Sequence, residues 1–215
     1  MALATTDTAT EAAITRFKEA LTRLDWLNHN LAPTKERWSL RGALHKRWAI
    51  CDQAGRRRHL KKATDAYKRA SEVAGSESYQ WLNALALQCV LRSEAARKKL
   101  RSLVDGYVDK SREAPRKVDR TFWDIVALPD ALLHKHIVYG TLAPGVYGTL
   151  APGAAVEELI EGYRQARAAG PSPRQWASVL DHIWFLAVMI SDTKLACCNP
   201  AVAEALNNVL SSLSD

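Results

Sequence analysis

The order small, aromatic, small at spacings of four and three residues constrains this chain more than any other feature. Ala63, Tyr67 and Ala70 carry it, and those spacings put all three side chains on one face of a helix. The alanines let a neighbouring helix approach closely while the ring fills the groove between them. Ala13, Phe17 and Ala20 repeat the order, Leu159, Tyr163 and Ala166 give a looser copy, and Ala96, Leu100 and Leu103 keep the spacing with aliphatic side chains. Recurrence of this kind separates a repeat array from one accidental amphipathic helix. The intervals are uneven, 33 residues from Tyr67 to Leu100 but 50 from Phe17 to Tyr67, so the array is degenerate. The competing reading is a non-repetitive all-helical domain that uses the same packing residues.

Length and composition narrow the class. The chain has 215 residues, 47% apolar and 25% charged, a globular profile with enough length to bury a real core. No apolar run approaches the ~20 residues that a bilayer crossing needs, and the N-terminus lacks a basic start followed by an apolar core. The expectation is a cytosolic protein that does not engage membranes. Cys51, Cys89, Cys197 and Cys198 lack metal-ligand spacing, so reduced thiols are expected, with Cys51 and Cys89 as small core residues.

Charge is unevenly placed. Between Lys35 and Arg69 twelve Lys and Arg face three acids, and between Arg92 and Arg120 ten face five; from Thr121 onward five bases face nine acids. A positive first half suits an acidic partner, nucleic acid or the contacts of an oligomer.

In chain order, helices are expected over Thr8 to Leu27, capped by Asp7 or Thr8, and over Thr34 to Cys51 with Thr34 as N-cap. Gly55 ends the second of these, and Arg56, Arg57 and Arg58 read as a basic elbow before the Ala63 to Ala70 helix. A Gly-Ser turn leads to an apolar helix over Ser78 to Leu91, and Ser93 to Lys110 follows with Arg97, Lys98, Lys99 and Arg101 outward. VYGTLAPG is written twice from Val138 to Gly153; it cannot continue a helix and reads as a protruding loop. Ala154 to Ala168 and Pro173 to Ile190 read as an antiparallel pair, and Pro200 to Leu213 as a closing helix.

The run TKERWSLRGALHKRWA, the Ala63 to Ala70 helix, SYQWLNALAL and the downstream TFWDIVALPDALL and VEELIEGYRQARAAG together resemble the degenerate tetratricopeptide region of bacterial multidomain signalling and conflict proteins. They are also similar to the TRAF-binding region of apoptosis signal-regulating kinases. The similarity spans Arg16 to Ile190 and is spread over many weak positions. Trp38 and Gly42 match the large and small positions of a first repeat helix, whereas His45 stands where that family has an aromatic. One interval, the 33 residues from Tyr67 to Leu100, is near the repeat period of roughly 34. The resemblance implies an all-α, tetratricopeptide-like right-handed solenoid of antiparallel helix pairs, about eight or nine helices. It implies one such domain over 1–215, with basic helix pairs over 8–111 and the remaining helices, bearing the duplicated loop 138–153, over 112–215. On this signature the first helix is the second half of a pair. In such proteins the helical region regulates or docks, and any enzymatic domain lies elsewhere in the polypeptide.

The expected function is non-enzymatic: a scaffold or regulatory module that binds a peptide, helix or partner domain with an acidic or peptide-like surface. Trp38, Arg41, His45, Lys46, Trp81 and Asn83 are the candidate partner-binding residues; Asn83 follows Trp81 by two, where some tetratricopeptide domains grip a peptide backbone. The alternative is a nucleic-acid binder with a basic patch of Arg56, Arg57, Arg58, Lys61, Lys62, Arg97, Lys98 and Arg101, although the stretch lacks interleaved aromatics that would stack bases. An enzyme is disfavoured, and no cofactor or metal is called for. His134 and His136 are two apart on a helix and diverge, Cys89 sits in a helical apolar context, and neither a phosphate loop nor a nucleophile elbow occurs.

Overall fold

The computed structural model describes residues 2–73, 79–113, 121–143 and 153–214, with side chains from residue 11 onward. All regular structure among them is helical, as the periodicity predicts. Contacts divide the chain into two compact units, Met1–Leu87 and Gln88–Asp215.

The first unit holds α1 (Ala2–Asn30), α2 (Lys35–Cys51), α3 (Arg56–Val73) and the larger part of α4 (Tyr79–Leu91). Helix α1 starts upstream of Asp7 and Thr8, so its first residue precedes the expected cap positions. Thr34 caps α2 as expected, its hydroxyl accepting from the Arg37 N–H at 3.3 Å. Arg37 in turn donates to the carbonyls of Leu27 and Ala32, which ties the α1–α2 turn to the start of α2.

Helices α2 and α3 make the closest packing in this unit. A connection of only four residues forces them antiparallel, and Gly42 explains how near they come. A Cβ added there would meet the Tyr67 ring at 2.6 Å from Cε2, 2.7 Å from Cδ2 and 2.9 Å from Cζ. The ring occupies the space a side chain would need. Ala63, Tyr67 and Ala70 are all buried, so the small-aromatic-small face is the packing face.

The basic elbow is not an elbow. Helix α3 begins at Arg56, so Arg56, Arg57 and Arg58 form its first turn, and the turn proper is Asp52 to Gly55. The Asp52 carboxylate accepts from the Gly55 N–H at 2.7 Å and closes it. Arg56 points inward and donates to the carbonyls of Ala49 (2.8 Å) and Ile50 (3.2 Å) at the end of α2. Those carbonyls have no partner within a terminating helix, which is why a cation is drawn there.

In the second unit, α5 (Glu94–Arg97), a 3₁₀ turn (Lys98–Leu100) and α6 (Arg101–Glu113) run on directly, followed by α7 (Phe122–Tyr139), α8 (Ala154–Ala168), α9 (Pro173–Ser191) and α10 (Pro200–Ser214). Asp124 accepts from the N–H and hydroxyl of Thr121, and Ser172 and Gln175 form a capping box ahead of α9. Helix α6 packs on α7, α7 on α8, and α8 on α10. The expected α8–α9 pair is looser than the α9–α10 pair, which packs most extensively in this unit; Ala203 and Ala205 are on the buried side of α10. Leu159, Tyr163 and Ala166 of α8 are fully buried, and a Cβ on Gly162 would lie 3.3 Å from Pro129 of α7.

The duplicated loop starts later than expected. Val138 and Tyr139 belong to α7, which ends on Gly140 at φ 76. Leu142 and Ala143 are buried, and Tyr139 donates to Asp105 of α6 at 2.5 Å. The remainder of the duplication over 144–152, including Tyr147 and Leu150, lies outside the described residues, as do the Gly-Ser turn and the loop over 114–120.

Candidate binding site

Of the six partner-binding candidates, Trp38 and Arg41 come together at an accessible place. Both are half-buried on α2, and they line a cleft of about 310 Å³ with Asp25 of α1 and Lys62, Asp65, Ala66 and Arg69 of α3. The guanidinium carbon of Arg69 lies 4.9 Å from the centre of the Trp38 ring, and that of Arg41 lies 5.8 Å away. Cations within about 6 Å of an indole face are attracted to its negative quadrupole. Arg41 also forms an ion pair with Asp25. Its hold on its proton is weakened, first by burial and then by the neighbouring positive charge of Arg69.

Sequence reasoning missed Arg69. Asp65 and Arg69 stand four apart on α3, a spacing that normally reads as a solvent ion pair. Arg69 lies over Trp38 instead. The available signal was Tyr67: once its ring is placed against Gly42, the neighbouring turn of α3 must lie beside Trp38.

His45, Lys46 and Asn83 are buried and do not line a groove. Lys46 Nζ donates to the Asn83 side-chain Oδ1 at 3.4 Å, and Asn83 Nδ2 donates to the Tyr79 backbone carbonyl at 3.1 Å. Asn83 is thus a bridge within the core and does not offer its amide to a peptide. Trp81 is half-buried on α4.

His45 belongs to an aromatic cluster. Its Nδ1 lies 3.2 Å from Nδ1 of His59, so one nitrogen donates to the other. Trp48 stacks on His59 with ring centres 4.2 Å apart and on Phe17 at 6.0 Å. His59 Nε2 lies 3.3 Å from the Asp52 carboxylate. With that proton on Nε2, His59 Nδ1 accepts from His45, and His45 Nε2 is buried without a hydrogen-bond partner among the described residues. Burial, then the charge of His59 and of Arg41 and Lys62, pushes the His45 imidazole down to about 4. His59 is lowered too, by burial and Arg58, against the opposing pull of Asp52.

The basic patch loses two members. Arg56 caps α2, and Arg97 is buried with a donated bond to the Ile137 carbonyl at 3.3 Å. Arg57, Arg58, Lys61, Lys62 and Lys98 are exposed, while Arg101 is half-buried and lies over the Tyr139 ring at 4.7 Å.

In the second unit His134 and His182, on α7 and α9, bring their rings within 5.5 Å, a pairing that sequence spacing does not suggest. His136 goes elsewhere, to Glu158 at 3.0 Å and Thr141 at 2.7 Å. Among the described residues no three His, Cys, Asp or Glu side chains gather as a metal-holding group, and no helix is long and apolar enough to cross a membrane. The cysteines are free; Cys89 and Cys197 are buried, and burial raises their thiols to about 12 and about 11.

No curated protein and no solved structure matches the chain. Residues 1–88 match the family described as Tetratricopeptide Repeats-Sensor. That span closely follows the first compact unit, where Gly42 nests on Tyr67 and the Trp38 cleft opens, and it makes this part of the chain a tetratricopeptide-like region.

Proposed function

We propose that the chain is a non-enzymatic interaction module of a regulatory assembly, binding a partner protein through the Trp38 face of its first unit. The observation that carries this reading is the coincidence of the tetratricopeptide-like match over 1–88 with an accessible cleft built around an indole and two guanidinium groups. Tetratricopeptide arrays bury one side of each helix against its neighbours and leave shaped surfaces for partners. The word "sensor" in the family description, and the resemblance to bacterial signalling and conflict proteins and to apoptosis signal-regulating kinases, favour a regulatory setting in the cytoplasm. Nucleic-acid binding is the weaker reading, because burial removes Arg56 and Arg97 from the phosphate-contacting set.

Quantitative affinity capture with the wild-type chain and Trp38→Ala tests the proposal. The expected result is a protein retained by the wild type and depleted with the variant, while the two baits melt alike. Equal retention of every protein by both baits rejects the Trp38 face.

A further inference from the structure

The cleft around Trp38 has an unbalanced charge that points to what it holds. Arg41, Lys62 and Arg69 face two carboxylates, Asp25 and Asp65, which leaves one positive charge in excess. Asp25 answers Arg41. Arg69 and Lys62 have no ion pair among the described residues, although Asp65 is only one turn from Arg69. Arg69 instead stays over the indole, near enough to Arg41 for the two charges to disfavour one another. Trp38 and buried Ala66 supply the apolar part of the lining.

We infer that this cleft binds the carboxylate of one acidic side chain from a partner peptide, gripped by Arg69 with Lys62 alongside while its methylenes lie on Trp38. The inference rests on the interaction reading above and names the chemistry it takes. A guanidinium presents two parallel N–H donors that match a carboxylate. The volume, about 310 Å³, is at the lower end of ligand pockets, which start at roughly 300 Å³, and suits one side chain. Charge count separates a carboxylate from a phosphate. A monoanion neutralises the single excess charge, whereas a dianion brings a surplus negative charge beside Asp25 and Asp65.

The test follows the Trp38 indole N–H resonance, assigned by its absence in Trp38→Phe, during titration with acetyl-glutamyl-amide, acetyl-glutaminyl-amide and inorganic phosphate. The expected result is a saturable shift with the glutamyl compound, none with the glutaminyl compound, and a weaker response to phosphate. Arg69 is exposed, so Arg69→Ala keeps the other indole resonances in place and weakens glutamyl binding by about tenfold or more, the scale of a lost charge-assisted bond. Arg57→Ala removes the same charge from the exposed first turn of α3 and leaves binding unchanged. Equal shifts with glutamyl and glutaminyl compounds, tighter binding of phosphate, or an unaltered Arg69→Ala titration overturns the inference. A captured partner that depends on Trp38 but survives Arg69→Ala also overturns it, and leaves the interaction reading standing. A glutamyl titration abolished by Arg69→Ala supports the carboxylate site even where capture retains no partner.

Discussion

At the scale of single residues, a missing methyl group governs how α2 meets α3. Gly42 lies against the Tyr67 ring with less space than a Cβ needs, and Tyr67 is itself buried. Gly42→Ala is expected to destabilise the first unit by about 1–3 kcal/mol, the usual cost of overpacking, and Gly42→Leu to unfold it. A urea titration of Gly42→Ala with and without Tyr67→Leu checks the cause: the smaller partner restores much of the loss if the clash is responsible. Arg56 gives a second contrast. Arg56→Ala removes the donor from two carbonyls at the end of α2 and is expected to cost about 1–3 kcal/mol, because buried acceptors are left bare. Exposed Arg57→Ala is expected to stay within about 0.5 kcal/mol. Equal midpoints for these two variants would contradict the capping role.

At the scale of elements, the α2–α3 hairpin carries its own acid sensitivity. His45 and His59 are held below the ordinary histidine value in the fold, so the unfolded chain takes up protons first as pH falls. Stability from these groups is complete above the unfolded value near 6.5 and is lost on descent toward about 4 for His45. Below that both states are protonated and the loss stops. The expected drop between pH 7 and pH 4.5 is on the order of 2–3 kcal/mol, read from urea midpoints, and His45→Phe flattens the pH profile over that interval. An unchanged profile in the variant would place the sensitivity elsewhere. Helix existence was legible here: the faces of α2 and α3, the Thr34 cap and the turn near Gly55 are all local patterns. The starting point of α3 was not. A run of three arginines reads as solvated, and only the proximity of Ala49 and Ile50 draws Arg56 inward.

At the scale of the whole molecule, burial sorts residues that composition treats alike. The four cysteines divide into Cys89 and Cys197, buried with raised thiols, and Cys51 and Cys198, which are partly accessible. A thiolate-specific reagent at pH 8 is expected to label two thiols rapidly in the folded chain and all four in denaturant; rapid labelling of all four without denaturant would contradict the core placement. Charges divide in the same way. The net charge of +7 counts Arg56 and Arg97 among cations that could meet a phosphate, yet both are buried on carbonyls. The sequence alone determined that this chain is helical, where most helices run, and that Ala63, Tyr67, Ala70 and the Leu159, Tyr163, Ala166 stripe turn inward, because helical periodicity and caps depend on residues a few positions apart. Only the tertiary structure decided that Lys46 and Asn83 are internal partners, that His45 faces His59, and that Arg69 stands over Trp38. Those outcomes depend on which side chain from a distant helix occupies the remaining space, and no local pattern records that.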